Sequence, residues 1–284
     1  MAIFVIGLII AIIKDKQHNK IHFLEVFAGE VVCIPPNKCI FANGKKDFYQ
    51  NINYMKKLLY TIIAILLFLS TLCSCGEDDD WAEQVAAYRA EKMATYEAEN
   101  EQYADYEVDV AFLGDSLTDG YDVKSYYPQY LVSNRGIGGE TTVGLEERMQ
   151  VSLYDLKPKV AVMLIGANNM DEMMDNYEDL LRGFEENVPG TKIVILSLTS
   201  MSGEWGKKNQ LAAYNNVQIK MLAAKYGYEY VDLYSALLNL ETGEIYAEYT
   251  TDGGHLTELG YDVLTAQITP AVEKQLAAWV AENQ

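Results

Sequence analysis

Beyond residue 75 the chain contains no cysteine; Cys33, Cys39, Cys73 and Cys75 all precede residue 76. The body that follows therefore has no disulfide, no thiol nucleophile and no cysteine-based metal site. Imidazole is almost as scarce. Of His18, His22 and His255, only His255 lies in that body, so any histidine base there must be His255. Positive charge is short as well. Residues 75–284 hold 14 Lys and Arg against 37 Asp and Glu, whereas residues 1–74 carry eight Lys, no Arg and four acids. With a formal net charge of −19, the chain is a poor match for a polyanion such as nucleic acid.

What is present begins with an apolar run over residues 1–13, ended by Lys14 and shorter than the roughly twenty residues that cross a bilayer. Residues 14–54 show no sustained periodicity. At Met55 the pattern changes: Met55-Lys56-Lys57 is basic, Leu58–Leu69 is apolar, and Leu72-Cys73-Ser74-Cys75 follows. This is the layout of a secretory signal. Its end resembles the lipobox of bacterial lipoproteins, which implies that Cys75 becomes a lipidated first residue, with small Ser74 before it and Leu72 three before. An ordinary transmembrane anchor is the alternative. A signal peptide begins a protein, so the expected organisation has four parts. Residues 1–54 are upstream sequence translated in error, 55–74 a signal peptide, 75–107 an acidic tether and helix, and 108–284 the main domain. The competing reading keeps 1–54 as a real extension. Gly76-Glu77-Asp78-Asp79-Asp80 resembles the acidic run of lipoproteins routed to an outer-membrane surface, or is a solvated spacer. The expected location is extracytoplasmic, lipid-anchored to a bacterial membrane.

Residues 81–107 lack Gly and Pro and read as helix. Trp81, Val85, Tyr88, Lys92, Tyr96, Glu99 and Tyr103 fall at heptad-like steps with polar interruptions, which predicts a stalk or a helix packed on the domain rather than a coiled coil. From 108 onward strand and helix patterns alternate. Strands are expected at Val108–Leu113, Leu131–Asn134, Val160–Ile165, Lys192–Leu198 and Tyr228–Leu233. Helices are expected at Thr142–Leu153, Asp171–Asn187, Lys207–Tyr226 and Thr257–Val280. Five such units predict an α/β fold, a five-stranded parallel sheet with helices on both faces and its ligand at the strands' carboxyl ends.

Four loops fall at such ends or beside them. Gly114-Asp115-Ser116-Leu117 follows the first strand, where a serine either caps the next helix or presents an exposed hydroxyl as a nucleophile. Asp252-Gly253-Gly254-His255 precedes the last helix, and Asp252 is near enough in sequence to reach His255 Nδ1 while Nε2 faces Ser116. Serine needs a base to take its proton, and the base needs its tautomer fixed. Asn134–Thr141 and Gly166-Ala167-Asn168-Asn169 follow the second and third strands, and can offer backbone N–H and amide donors to an oxyanion. The glycine cluster lacks the G-x-G-x-x-G spacing of a dinucleotide site.

Gly-Asp-Ser-Leu at 114–117, Gly-Ile-Gly-Gly-Glu-Thr at 136–141, Gly-Ala-Asn-Asn at 166–169 and Asp-x-x-His at 252–255 resemble, in order, the four blocks of the SGNH (GDSL-type) hydrolases. The second and third blocks look most like the branch of platelet-activating-factor acetylhydrolase catalytic subunits and related acetyl esterases. The resemblance implies a three-layer, flavodoxin-like α/β/α sandwich and ester hydrolysis through an acyl-enzyme. It implies Ser116 as nucleophile, His255 as base and Asp252 as its orienting partner. The oxyanion donors would be the N–H of Ser116, the N–H of Gly139 and the Asn168 side chain. Asn169 stands where many members have Asp.

Trp205, in the segment 200–206 after the fourth strand, is a candidate pocket wall; Tyr246 and Tyr249 are candidates for stacking on a sugar ring. The absence of a long apolar lid favours a short acyl group such as acetyl, and O-acetylated glycans as substrate. A lysophospholipase or lipase-like acylhydrolase and a catalytically silent glycan-binding lipoprotein are the alternatives. The chemistry calls for no cofactor and no metal. If residues 1–54 are not part of the protein, peptide mass spectrometry of cells will recover no peptide from residues 15–54; recovering one refutes that reading.

Overall fold

The computed structural model describes residues 77–283, together with one separate antiparallel pair of two-residue strands, Val26–Phe27 and Glu30–Val31. The proposed signal segment, Cys75 and the Trp81 side chain lie outside what is described. Among the described residues no helix is long and apolar enough to cross a membrane.

The core element is a five-stranded parallel sheet: β1 (Val110–Gly114), β2 (Val132–Gly136), β3 (Val160–Leu164), β4 (Lys192–Leu196) and β5 (Glu229–Val231). Its spatial order is β2-β1-β3-β4-β5. The order reverses beside β1, which opens a crevice at the carboxyl ends of β1 and its neighbours. Register is in step, with Gly114 opposite both Gly136 and Leu164. These three strands therefore deliver their following loops to one rim.

Near-continuous apolar strands are what a sheet covered on both faces requires. Along β1, Val110 and Phe112 face one layer while Ala111 and Leu113 face the other, the two-residue alternation of a strand. The first layer contains α2 (Ser116–Asp119), α3 (Val123–Tyr126), α8 (Leu233–Leu237) and α9 (Glu258–Asn283). The second contains α4 (Thr142–Glu147), α5 (Met174–Asn187) and α7 (Asn209–Tyr226). In α5 the buried residues Tyr177, Leu180, Leu181 and Phe184 mark one helical stripe. The result is the expected three-layer α/β/α sandwich.

Several expected bounds shift for local reasons. The helix expected over Thr142–Leu153 stops at Glu147 and resumes as a wide turn, Gln150–Tyr154, in which Asp155 N–H reaches back five residues to Gln150 O at 2.9 Å. The helix expected over 81–107 is α1 (Glu77–Asn100). It ends there because residues 101–107 form turns, with Tyr106 at a left-handed φ of 63° and its N–H donated to Lys157 O. Of the two placements left open for this helix, the packed one is observed. Tyr96 is buried with Ile137 and Val151, its hydroxyl donates to Gly136 O at 2.6 Å, and Asn100 donates to Val151 O. Short pieces the pattern did not predict are α3, α8, α6 (Gly203–Gly206) and a hairpin of β6 (Leu238–Asn239) and β7 (Glu244–Ile245).

Among the contacts that hold the last helix over the first loop, two come from Tyr261. Tyr261 of α9 stacks on Tyr121 with centroids 5.2 Å apart, and its hydroxyl donates to Leu117 O at 2.9 Å. Gly136 lets α2 lie directly on the end of β2, since a β-carbon there would come within 2.2 Å of Asp119 N.

Candidate active site

Ser116 is the first residue of α2, and the Asp115 carboxylate before it accepts the Leu117 N–H at 3.0 Å. The cap of this helix is thus Asp115 and not the serine, whose hydroxyl stays available. The Ser116 Oγ lies 3.0 Å from His255 Nε2, and His255 Nδ1 lies 2.7 Å from Asp252 Oδ2.

The loop carrying His255 is short and closed at its base by a bridge between Thr250 and Leu256. Asp252 has two tasks in it. Its Oδ1 accepts the backbone N–H groups of His255 and Gly254 at 2.7 and 2.9 Å, while Oδ2 takes the ring nitrogen. These bonds, the His255 N–H foremost, hold the Asp252 carboxyl down at about 2. It is therefore an anion at neutral pH and fixes the proton on Nδ1, which leaves the Nε2 lone pair for the serine hydroxyl. Both side chains are about half exposed, at 47% and 49%, so this face opens to solvent.

The neighbouring rim supplies hydrogen-bond donors. Ser116, at a helix N-terminus, and Gly139 have backbone N–H groups that donate to no protein acceptor among the described residues. Gly139 has a left-handed φ of 77°, and a β-carbon on it would touch nothing within 4 Å. Asn168 gives one amide hydrogen to Glu140 O at 2.8 Å, which leaves its second available. Asn169, the departure from the family pattern, uses both ends of its amide on Thr142. Its Oδ1 accepts the Thr142 N–H at 3.2 Å and its Nδ2 donates to the Thr142 hydroxyl at 2.8 Å. The third-strand loop is thus tied to the Gly139 loop.

Trp205 reaches this site. A β-carbon on Gly254 would lie 3.1 Å from the Trp205 indole, and Ser202 N–H donates to Gly253 O at 2.9 Å. Tyr246 and Tyr249 pack on each other at 5.3 Å. They sit at the base of the 250–256 loop, where Tyr249 O accepts the Thr257 N–H, and no hydrogen bond joins them to the serine or histidine among the described residues. Among the described residues no group of acidic, histidine or cysteine side chains is placed to hold a metal.

Several positioning residues escape sequence reasoning. Arg148 is buried, with Nε 2.7 Å from Glu140 Oε2 and its other nitrogens on Arg135 O, Ser152 Oγ and Gly114 O. Asn134 donates to Thr118 O and Tyr121 O while accepting the Gly136 N–H. Buried Asn209 bridges Met201 N and O, and so holds the loop leading to Trp205. No pattern in the sequence marks these residues for a positioning role.

Comparison with known proteins gives the family and the fold. A sequence model of the GDSL-like lipase/acylhydrolase family matches residues 112–263, more than half of the chain. The chain belongs to that family. It is a carboxylic ester hydrolase by this membership. Among solved structures it is similar to a candidate platelet activating factor from Streptococcus pneumonia, at 23% identity and TM-score 0.62 over 68% of this chain and 97% of the other. It is similar to a GDSL-like lipase from Bacteroides thetaiotaomicron at 24% identity and TM-score 0.57, over 64% and 97%. An acetylxylan esterase from Geobacillus stearothermophilus shares the fold at 18% identity and TM-score 0.50, over 59% and 95%. No curated protein sequence matches. The expected sandwich is thus the fold of GDSL acylhydrolases.

Asp115 gives this GDSL site a pH-dependent liability. It is 1% exposed, its Oδ2 has no partner among the described residues, and burial pushes its carboxyl up to about 6. The folded protein keeps this proton between the ordinary 3.8 and about 6, while the unfolded chain gives it up. Rising pH across that window therefore favours unfolding. Asp115→Asn should gain stability over the parent at pH 8 relative to their difference at pH 4, by about 2 kcal/mol. Denaturant titrations at both pH values test this; an equal difference at the two removes the argument.

Proposed function

We propose that this GDSL acylhydrolase is a serine esterase that removes short acyl groups, acetyl above all, from O-acetylated glycans. The observation that carries the reading is the unbroken chain Ser116 Oγ, His255 Nε2, His255 Nδ1, Asp252 Oδ2, with links of 3.0 and 2.7 Å. In this mechanism His255 takes the Ser116 proton as Oγ bonds to the ester carbonyl carbon. The carbonyl oxygen becomes an oxyanion and receives the N–H groups of Ser116 and Gly139 and the free amide hydrogen of Asn168. Collapse of this intermediate breaks the bond to the alcohol oxygen, which leaves with the proton from His255. Water, deprotonated by the same imidazole, then attacks the acyl-serine and releases the carboxylic acid. No step calls for a metal or cofactor.

The half-exposed histidine and aspartate suit an ester borne on a bulky, solvated alcohol. A polysaccharide can approach such a face without entering a tunnel. In this reading Trp205 closes the acyl side beside Gly254, and Tyr246 and Tyr249 offer an aromatic surface at the loop base. The acidic body disfavours nucleic acid. Cys75 is the proposed attachment point to a bacterial membrane, and puts the enzyme on the extracytoplasmic side where glycans are found.

Ser116→Ala should lower kcat for a nitrophenyl acetate at least about 10³-fold while circular dichroism is unchanged; turnover near the parent rate overturns the mechanism. Assayed from acetyl to long acyl chains, the parent should be fastest on acetyl, and a rising rate with chain length would instead assign a lipase-like enzyme. Cys75→Ser should move the protein from the membrane to the soluble fraction of expressing cells; an unaltered distribution rules out this anchor.

A further inference from the structure

Helix α1 lies outside residues 112–263, yet its side chains reach the loops that carry the proposed oxyanion donors. Lys92 Nζ is 2.7 Å from Asp119 Oδ1, and the Tyr88 hydroxyl donates to Asp119 Oδ2. That same Oδ2 accepts the Gly138 N–H at 3.0 Å. Asp119 is the last residue of α2, which Ser116 begins, and Gly138 immediately precedes Gly139. Arg89 adds a hydrogen bond to Gly144 O at 2.7 Å and an ion-pair contact to Glu140 at 3.4 Å.

A pair of glycines is a poor platform for a donor that must point in one direction. Glycine visits both signs of φ at little cost, whereas a donor contributes fully only when held within about 0.5 Å of its working position. Downstream, the pair is fixed by Glu140, whose N–H donates to Ile137 O and whose carbonyl accepts from Asn168. Upstream, the side-chain restraint is the bond from Gly138 N–H to Asp119. The Asp119 carboxylate is in turn held from the α1 side. Burial, with the bond to Asp119 adding to it, pushes the Tyr88 phenol up to about 12, so it remains a donor across the neutral range.

We propose that Asp119 is a positioning residue that aims the Gly139 N–H through Gly138, and that α1, through Tyr88 and Lys92, belongs to the working catalytic module. This rests on Gly139 serving as an oxyanion donor in the reading above. Loss of a whole donor typically costs roughly 10²–10³ in turnover, and loss of its aim should cost part of that. Asp119→Ala is therefore expected to lower kcat for nitrophenyl acetate about 10- to 100-fold with little change in KM. The kcat–pH midpoint should stay in place, since the serine–histidine–aspartate chain is untouched. Asp119→Asn, which keeps a carbonyl acceptor for Gly138, should recover most of the loss. The double variant Tyr88→Phe, Lys92→Ala alters only the α1 side chains and should lower kcat about 3- to 10-fold, which keeps the test open if Asp119→Ala fails to fold. Rates within twofold of the parent in the folded variants overturn the proposal, as does a loss that appears in KM or moves the pH midpoint. Ser116→Ala in the same assay separates the two failures. If it is inactive while Asp119→Ala is not impaired, only this proposal falls; if it still turns over, the underlying mechanism falls.

Discussion

A guanidinium shut away from water must find acceptors for its N–H groups inside the protein, and Arg148 finds them at the points the active site needs held still. It bonds Gly114 O at the end of the first strand, Arg135 O near the end of the second, and Glu140 in the loop beyond it. Removing one member of such a buried pair strands the other charge at a cost of roughly 3–5 kcal/mol. Conformations with the Glu140 loop elsewhere are disfavoured accordingly. Gly144 makes room for this arrangement, because any side chain there would collide with the Glu140 carboxylate. The serine turn and the donor loop are thus parts of one polar knot.

Around that knot the fold supplies parallel alignment. Strands in step bring Gly114, Gly136 and Leu164 level, and the Tyr121–Tyr261 stack carries the His255 loop over α2. Ser116 and His255, 139 residues apart in sequence, meet because α9 is docked on the first helical layer by its buried Leu264, Ile268 and Val272, by the Tyr121–Tyr261 stack and by hydrogen bonds of Tyr261, Thr265 and Thr269. The half-exposure of His255 and Asp252 is then a consequence of where the sheet ends.

Much of this was legible in the residues. The strands announced themselves as apolar runs closed by Gly or by a turn, and four motifs at loop positions narrowed the site to one serine and one histidine. Other features were hidden for physical reasons. Arg148 falls in what reads as an amphipathic helix, where arginine ordinarily faces water, so nothing in the pattern marks it as buried. For α1 the sequence leaves a stalk and a packed helix open; Tyr88, Lys92 and Tyr96 of its heptad-like stripe make the packing contacts, but polar interruptions in that stripe do not say which surface receives it. The break after Glu147 leaves no glycine or proline as a signal. Tyr246 and Tyr249 precede the Asp252 loop in sequence, and the structure sets them, packed on each other, at its base.

Glycine at 253 and 254 brings the Trp205 segment into direct contact with the histidine loop. Gly253 has a left-handed φ of 94°, and a β-carbon on it would meet Ser202 O at 2.4 Å; Gly254 lies under the indole. The Trp205 segment and the loop that carries His255 are therefore one piece of structure. On the proposed reading of Trp205 as the acyl-side wall, a substitution there also disturbs the loop that carries the proposed base. Acyl preference and rate would then be tied together at this one position.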